Sequence, residues 1–354
     1  MIPIFIASNR SYTGKTLLAV GLGQKLTELG HKVGYLKPFG KTPVKKDNEL
    51  FDADAIFIRE YLGLPDSLKV ISPFVLSYEM QNMIFDGKLK DVTKRILDAL
   101  QGQKDKDFVI IGGAGDLLEG STLGIDGVSL IKATESRVLM VEAWRGDKSI
   151  DSLHGVRRFF DRHFLGGIFN KVPANSFSHV SEIAAPFLEN NGVPIFGIFQ
   201  KDSLLESIAI RQIVQILNGK VLCCEDKLDE LVEHFSIGAM DAYSALSYFS
   251  RIPNKAVITG AHRSDIQLIA METSTRCIII TGGLNTNDVV LGKAQAHGIP
   301  IVSVPLDTFT VIDKIESVLG RTSIRENEKV IRIKELFDKV FDIDRLLKLL
   351  AIGK

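Results

Sequence analysis

The residues of this sequence whose types and spacing suggest chemistry lie near its N-terminus, in the segment Ser8 to Thr16 (SNRSYTGKT). Gly14 lets the backbone approach a ligand closely, Lys15 can reach the β- and γ-phosphates of a nucleotide, and the Thr16 hydroxyl can ligate Mg²⁺. Backbone N–H groups in such a turn and at the start of a following helix add positive potential. Ser8 stands where the motif usually has its first glycine. The segment predicts a phosphate-binding loop for a nucleotide, Mg-ATP, in preference to a polar turn that contains Gly-Lys-Thr by chance.

The loop prediction depends on a strand before the segment and a helix after it. Ile2 to Ala7 is an apolar run typical of a buried strand, and Thr16 to about Gly30 carries leucines at helical spacing. Further predicted strands are Val33 to Lys37, Phe108 to Ile111, Val138 to Val141, Gly167 to Phe169 and Pro194 to Phe199, and the insertion from Thr42 to Leu100 has an irregular helical pattern. Strands that alternate with helices in this way indicate βαβ units. The predicted fold class is α/β, a parallel sheet of the P-loop NTPase type with helices on both faces.

The alternating pattern falters near residues 218–233, where a short strand (KVLCC) runs into the charged segment CEDKLDELVEH. We interpret this as a boundary, which divides the chain into domains at 1–220 and 221–325 and a C-terminal helical segment at 326–354. The second domain is a smaller α/β domain with predicted helices at Met240 to Phe249, Ser264 to Thr273, Asn285 to His297 and Thr308 to Leu319, and strands at Ala256 to Thr259, Cys277 to Thr281 and Ile301 to Val304. The C-terminal segment is amphipathic, so it either packs on the rest of the chain or forms a dimer contact.

The composition narrows the range of partners and locations. The 354 residues include 43 Lys and Arg and 43 Asp and Glu, so no net charge favours nucleic acid or an anionic membrane. No apolar run approaches the ~20 residues of a membrane span, and the N-terminus lacks the features of a secretory signal. Cys223 and Cys224 are adjacent and Cys277 is isolated, which fits neither a disulfide framework nor a metal finger. We therefore expect a cytoplasmic protein that binds neither nucleic acid nor membranes.

Arg10 lies five residues before Lys15. In one subclass of P-loop proteins that position holds a second lysine, which reaches a phosphate across a dimer. A guanidinium also suits bidentate phosphate contact. Arg10 is therefore either a phosphate ligand or an exposed loop arginine, and the sequence leaves both alternatives open.

The first 220 or so residues resemble the dethiobiotin synthetase and cobyrinic acid a,c-diamide synthase branch of P-loop proteins. The resemblance is carried by Ser8 to Thr16 (the family's GTDTGVGKT), Tyr35-Leu36-Lys37-Pro38 (YKP), Asp54 in FDADA, Gly112 to Asp116 (EGAGG) and Asn170 in FNKVP. The run GVPIFGIFQKDSLLESIAIRQI also resembles the closing strand and helix of this module. The motif NKVP lacks the aspartate that selects guanine in NKxD motifs, which favours ATP.

The resemblance implies a role for each matching residue. Lys15 and Lys37 would be the two catalytic residues, and Lys37 would contact the substrate or a phosphate. Asn170 would read the adenine edge. The nucleotide-binding residues are then Arg10, Ser11, Tyr12, Thr13, Gly14, Lys15, Thr16 and Asn170. Thr16 and Asp54 would hold Mg²⁺, and because Gly112 replaces the family's glutamate, Asp116 or Glu119 would complete the metal site. Plain structural roles, such as a helix cap or surface acid for Asp54 and a loop cap for Asn170, remain the alternative.

Residues from about Ile237 to Gly320 resemble a DRTGG domain. The segment Thr259 to Asp265 (TGAHRSD) matches the typical TGGDRTD, with His262 and Ser264 in place of the signature aspartate and threonine, and Thr281-Gly282-Gly283 completes the signature. Turns that follow neighbouring strands of an open sheet can form a pocket. We predict a second ligand site at Arg263, Thr281, Gly282 and Gly283, with turns that only need glycine geometry as the alternative.

This pair of domains is similar to the N-terminal half of long phosphotransacetylases, which precedes their catalytic domain. The resemblance implies an Mg-ATP-binding regulatory or sensor protein, and acetyl transfer is not carried over. Two alternatives remain open: an ATP-dependent synthetase or amidoligase that phosphorylates a carboxylate or amine and releases ADP and phosphate, and a scaffold with a degenerate site. Relatives of the first domain bind nucleotide near a two-fold interface, so we also predict a homo-oligomer, with a separate enzyme as a further partner.

Overall fold

The computed structural model describes residues 1–87, 89, 91–318 and 324–352. The chain forms two compact units, the first made of residues 1–201 together with those from 324 onward, and the second of residues 202–323. The boundary predicted after residue 220 lies inside the second unit, and the division into three parts stays a prediction. Within the described ranges, no helix combines the length and apolar character needed to cross a bilayer.

The first unit is built on a parallel sheet formed by the predicted apolar runs. In chain order the strands of the whole unit are β1 (Ile2–Ala7), β2 (Val33–Leu36), β3 (Pro43–Lys46), β4 (Glu49–Asp52), β5 (Phe108–Gly112), β6 (Arg137–Ala143), β7 (Phe164–Val172) and β8 (Ile195–Gln200). The parallel sheet has the order β2-β5-β1-β6-β7-β8. Ile4, Ile110 and Met140 on its central strands are fully buried, as expected for a sheet covered by helices on both faces. The predicted fold class is confirmed.

Helices of the first unit connect these strands and cover the sheet. They are α1 (Lys15–Glu28), α2 (Ala53–Tyr61), α3 (Leu68–Ile71), α4 (Tyr78–Phe85), α5 (Val92–Gln101), α6 (Gly127–Ala133), α7 (Lys148–Phe160), α8 (Phe177–His179) and α9 (Ala185–Asn190). The insertion differs from the helical pattern predicted for it, because β3 and β4 pair there as an antiparallel hairpin. Asp47 and Asn48 link the two strands with positive φ angles of 51° and 63°, which suits the tight turn of a two-residue hairpin.

The second unit has its own sheet and core. Its strands are β9 (Ile208–Ala209), β10 (Lys220–Cys223), β11 (Leu231–Val232), β12 (His234–Ile237), β13 (Lys255–Gly260), β14 (Thr275–Thr281) and β15 (Ile301–Ser303), and its helices are α10 (Ser203–Glu206), α11 (Ile210–Leu217), α12 (Ala242–Phe249), α13 (Ser264–Met271), α14 (Asp288–His297) and α15 (Thr308–Val318). The sheet order is β10-β15-β14-β13-β12, with β10 antiparallel to β15 and the other neighbours parallel. The predicted helix end at Leu319 lies outside the described residues.

The charged segment interpreted as a domain boundary belongs to the core of the second unit. Its residues Leu228 and Val232 are buried and pack in the same apolar cluster as strands β13 and β14. β11, inside this segment, pairs with β9. The charged residues of the segment thus stand beside buried apolar ones, and the position of the domain boundary remains a prediction.

The C-terminal segment forms α16 (Asn327–Val340) and α17 (Ile343–Ile352), which belong to the first unit. The ring of Phe337 on α16 lies directly on Gly21 of α1, where a Cβ would collide with it. Phe337 also stacks on Phe341, with 4.4 Å between ring centroids. On α17, Arg345 forms a two-pronged ion pair with Glu189, each arm 2.6 Å long. The segment therefore packs on its own chain, and the homo-oligomer remains a prediction.

Candidate nucleotide-binding site

The loop between β1 and α1 turns at Gly14. This glycine has a φ of 107°, an angle that residues with side chains rarely adopt. A Cβ on Gly14 would collide with the Asn170 amide nitrogen. Asn170 lies on β7, is 6% exposed, and donates from Nδ2 to the carbonyl oxygen of Thr13 at 2.8 Å. In this geometry Asn170 braces the loop backbone, and its contact with an adenine base stays a prediction.

The ammonium group of Lys15 lies inside the loop that precedes it. Lys15 Nζ donates to Ser8 Oγ (2.7 Å), to the carbonyl of Gly115 (2.7 Å) and to the carbonyl of Arg10 (3.2 Å). Ser8 therefore does more than replace a glycine, because its buried hydroxyl accepts a hydrogen bond from the lysine of the motif. Burial, reinforced by the nearby Lys37 ammonium, lowers the pKa of Lys15 to about 7.

Phosphate binding at this loop is expected to be coupled to proton uptake. A phosphate beside Lys15 favours the charged ammonium, so the pKa of Lys15 rises on binding from its value of about 7. Below pH 7 the lysine is charged in both states, whereas above pH 7 the protein must first take up a proton. Nucleotide affinity should therefore fall as pH rises above 7, by up to about tenfold per pH unit.

Calorimetric titration at pH 8, in buffers of different ionisation enthalpy, measures this uptake directly. We expect an uptake of about one proton, since a group with a pKa near 7 is mostly neutral at that pH. A Lys15→Arg variant is the control, because its guanidinium is charged throughout and should remove the uptake. A binding enthalpy of the wild-type protein that does not depend on the buffer would contradict the coupling.

Asp54 lies in the first turn of α2 and faces Thr16. Asp52, the buried residue before the helix, is the cap, and it accepts from the backbone N–H groups of Asp54 and Ala55. The Asp54 carboxylate is left to face the loop, with Oδ2 3.5 Å from Thr16 Oγ1. Adjacent ligands of an octahedral Mg²⁺ lie about 3 Å apart, so small shifts would let these two oxygens ligate one ion. The pair fits the metal role predicted for it.

An arginine also reaches the Asp54 carboxylate. Arg325, just before α16, donates from Nη2 to Asp54 Oδ1 at 3.0 Å. Asp54 thus has one oxygen towards Thr16 and the other towards a guanidinium. A cation bound at Thr16 and Asp54 would compete with Arg325 for the same carboxylate.

Removing Arg325 is therefore expected to strengthen Mg-nucleotide binding. The side chains of Arg325 and Asp54 are 39% and 32% exposed, and pairs with such exposure contribute up to about 1 kcal/mol. Arg325→Ala should lower the Kd for Mg-ATP by up to about fivefold and leave Mg-free binding nearly unchanged. Arg162→Ala is the matched control, because it removes an exposed arginine paired with Glu135 elsewhere in the first unit. Weaker binding by Arg325→Ala would show that Arg325 contacts the nucleotide instead.

The end of β5 differs from the family pattern for a steric reason. A Cβ on Gly112 would collide with the hydroxyl of the buried Tyr35. A glutamate at this position would therefore require the Tyr35 ring to move. The next residue, Gly113, accepts a hydrogen bond on its carbonyl from Lys37 Nζ at 3.2 Å. The turn after β5 thus brings Lys37 towards Lys15 and leaves no room for a metal-binding glutamate at 112.

The two acids proposed to replace that glutamate both have partners within the turn. Asp116 Oδ1 accepts from the backbone N–H groups of Leu118 (2.9 Å) and Glu119 (3.0 Å). Glu119 Oε2 accepts from the N–H of Gly115 at 2.6 Å, and its other oxygen pairs with Lys41. Glu119 would have to leave these contacts to bind a metal, whereas the Asp116 contacts use Oδ1 and would leave Oδ2 to face an ion. The metal role of Asp116 stays a prediction.

The structure brings Lys15, Thr16, Lys37 and Asp54 to the edge of the sheet where β1, β2 and β5 end. Arg10 is exposed and contributes its carbonyl to Lys15, while Tyr12 is exposed with a φ of 60°. The Ser11 hydroxyl lies so close to Gly115 that a Cβ on this glycine would collide with it. The nucleotide roles of Arg10, Ser11, Tyr12 and Thr13 remain predictions.

Sequence reasoning missed a buried acid beside the loop. Glu142 on β6 is 1% exposed, pairs with Arg145 (2.8 Å) and accepts from Ser152 Oγ (2.8 Å). Ser152 Oγ in turn accepts from the side-chain amide of Asn9, in the phosphate loop, at 2.6 Å. Glu142 follows the apolar run of a predicted strand, so the rule that strand ends line the site would have identified it.

The second predicted site lies where β13 and β14 end side by side, with Gly260 next to Thr281. The Arg263 guanidinium is bound by Asp265 (2.9 and 3.0 Å) and by the carbonyl of Met240 (2.7 Å). The N–H groups of Gly282 and Gly283 donate to Leu306 and Val304, and Thr281 Oγ1 is bonded to Thr308 Oγ1. These groups follow neighbouring strands but are bonded to residues of the surrounding segments, so the ligand site stays a prediction.

The first unit is a P-loop NTPase-type domain. It is defined by the order of its strands, by the phosphate loop and by the lysine that this loop encloses. The chain belongs to the AAA domain family, whose model matches residues 3–209. A DRTGG domain model matches residues 212–318. The predicted pairing of a P-loop domain with a DRTGG domain is confirmed.

Relatives of known function cover different parts of the chain. The phosphate acetyltransferase of Synechocystis sp. is 24% identical over 98% of this chain and 51% of its own length, and that of Pseudomonas aeruginosa is 22% identical over 98% and 52%. The ATP-dependent dethiobiotin synthetase of Methanocaldococcus jannaschii is 30% identical over 32% of this chain and 52% of its own. The chain spans about half the length of the phosphate acetyltransferases it matches and is homologous to their N-terminal half.

Two of the matching solved structures illustrate the partial likeness of each unit. The CBS and DRTGG domains of the regulatory region of Clostridium perfringens pyrophosphatase, complexed with diadenosine tetraphosphate, match 33% of this chain at 22% identity and a TM-score of 0.28. The MinD cell division protein of Aquifex aeolicus matches 58% of this chain at 15% identity and a TM-score of 0.36. The fold class itself rests on the strand order and the strand–loop–helix connection described above.

Proposed function

We propose that this chain is an Mg-ATP-binding regulatory module of the type found in the N-terminal half of phosphate acetyltransferases. The observation that carries the proposal is the enclosed Lys15, held by the loop beside the Thr16 and Asp54 oxygens. The ATP-dependent dethiobiotin synthetase relative supports ATP as the nucleotide. The phosphate acetyltransferase relatives support the regulatory context.

In the proposed complex the residues of the loop divide the work of binding phosphate. Lys15 would turn from its carbonyl acceptors to the β- and γ-phosphates, and the N–H groups at the start of α1 would donate to the phosphate oxygens. Thr16 and Asp54 would hold Mg²⁺, which neutralises negative charge between those phosphates. Lys37, beside Gly113, would add a second cation near the terminal phosphate.

A regulatory role is favoured over a synthetase role by the metal site. Tyr35 fills the space above Gly112, and both carboxylate oxygens of Glu119 are engaged, so a third acidic ligand would have to come from Asp116, which already holds the turn through Oδ1. Binding with slow hydrolysis fits such a site better than rapid phosphoryl transfer. The synthetase alternative is favoured by one observation, which is the position of Lys37 near Lys15.

Titration with ATP and with GTP at millimolar Mg²⁺ tests nucleotide binding and its preference. We expect ATP to bind more tightly than GTP, and a protein that binds neither nucleotide would refute the proposal. Phosphate release, measured with and without added carboxylates, then separates the two functions. Turnover that a particular carboxylate stimulates strongly would favour the synthetase, whereas slow and unstimulated release supports the regulatory module.

Sedimentation under the same conditions tests the proposed homo-oligomer. A monomer mass would contradict this proposal.

A further inference from the structure

A second cationic site lies in the first unit, away from the phosphate loop. A cavity of about 340 Å³ opens among Arg137, Arg157 and Arg158, with Phe164 and Pro194 on its apolar side. Arg137 and Phe164 are the first residues of β6 and β7, and Pro194 directly precedes β8. The cavity therefore lies at the amino ends of the strands, whereas the phosphate loop follows the carboxyl end of β1. Since the seven residues of β6 span about 20 Å, the two sites are separate.

The three arginines of this cavity are not neutralised by acids. In the described part of the chain, their guanidinium groups have no ion pair and no side-chain hydrogen bond, and Asp161 is the one acid among the lining residues. The Arg137 Nε–H is buried and has no acceptor, which is costly for a cationic group. Arg157 packs its guanidinium over Gly192, where a Cβ would approach it to 2.8 Å. The cavity thus combines a net charge of about +2 with an unsatisfied donor, and both call for an anion.

The shape and charge of the cavity indicate the class of anion. Planar guanidinium groups bind phosphate oxygens in a bidentate manner, and a phosphomonoester is close to a dianion at neutral pH. A volume of about 340 Å³ lies at the small end of ligand pockets, and the side formed by Phe164, Pro194 and Leu349 suits a short organic body. We propose that this cavity binds a small organic phosphate, with the half-buried Arg137 and the exposed Arg157 and Arg158 as its ligands.

Isothermal titration with glycerol 3-phosphate, in the presence of EDTA, tests the proposal. We expect wild-type binding in the millimolar range or tighter and a loss on the order of tenfold or more in Arg137→Gln. Arg162→Gln, an exposed arginine of the first unit outside the cavity, should bind as wild type does. Lys15→Ala should also bind glycerol 3-phosphate normally while it loses Mg-ATP, so failure at one site is distinguishable from failure at the other.

A gain of affinity provides a test that misfolding cannot imitate. Asp161→Asn removes the one acidic lining residue and keeps the size and shape of the side chain. We expect glycerol 3-phosphate to bind roughly two- to fivefold more tightly to this variant. Absence of binding to the wild-type protein, or binding unchanged by Arg137→Gln, would overturn the proposal. Inorganic phosphate that binds as tightly as glycerol 3-phosphate would overturn the assignment of an organic phosphate.

Discussion

Replacing Lys15 with alanine should weaken Mg-ATP binding on the order of a hundredfold. Charged hydrogen bonds to phosphate contribute roughly 1.5–3 kcal/mol, and Lys15 would make more than one of them. The effect is also specific to this position, since the Lys15 ammonium is enclosed by Ser8, Arg10 and Gly115. Calorimetry or equilibrium dialysis with labelled ATP at millimolar Mg²⁺ measures the change directly.

The control for this prediction is Lys104→Ala, which removes an exposed lysine of the first unit far from the loop in sequence. That variant should bind ATP as the wild-type protein does. Thermal unfolding of both variants shows whether loss of binding follows from loss of structure, because the Lys15 substitution also removes the hydrogen bonds to Ser8, Arg10 and Gly115. A folded Lys15→Ala protein with wild-type affinity would mean that the loop does not bind the phosphates.

The second large effect concerns stability. Phe337→Ala is expected to lower the free energy of unfolding of the first unit by about 3–5 kcal/mol. The side chain is 2% exposed, lies on Gly21 and stacks on Phe341, so its removal leaves a cavity that a glycine surface cannot fill. Trp144 is the sole tryptophan of the chain and lies in the first unit, so its fluorescence during urea unfolding follows that unit alone.

Ile331→Ala on the same helix is the matched control. Its side chain is 61% exposed, and we expect a change within about 0.5 kcal/mol. Equal effects of the two substitutions would argue that α16 is not packed on α1. Because the chain has two units, the two units can unfold in separate transitions. The fluorescence change then reports the unfolding of the first unit and not of the whole chain.

The parts of the fold that could be predicted are those with local signals. Ile2 to Ala7 and the run before Gly112 are continuous apolar stretches, and buried parallel strands have that composition. The sequence does not predict the hairpin at Pro43 to Asp52, because β3 is exposed throughout and β4 is buried at one end only. The Asp47-Asn48 pair is the local signal for the turn. Helices α16 and α17 were predicted as one stretch, which breaks where Asp342 N–H donates to the carbonyl of Phe196 on β8.

The candidate site was predictable to the extent that one segment encodes it. Gly14, Lys15 and Thr16 are adjacent in sequence, so the loop can be identified without the fold. The contacts that modify it come from distant positions: Asn170 under Thr13, Gly115 at Lys15, and Arg325 at Asp54. Sequence spacing carries no information on such contacts, because they depend on how the strands are ordered in the sheet.

The two-part construction of the first unit has a consequence for the order in which the chain is made. By residue 201 the ribosome has produced every strand of the parallel sheet, yet the face of α1 around Gly21 has no cover until α16 emerges. At ~5–20 residues per second, roughly 6–25 seconds of synthesis separate the two events. During that interval the nascent chain exposes an apolar groove. Premature termination in the second unit would therefore yield a sheet domain with an open flank, prone to chaperone capture and proteolysis.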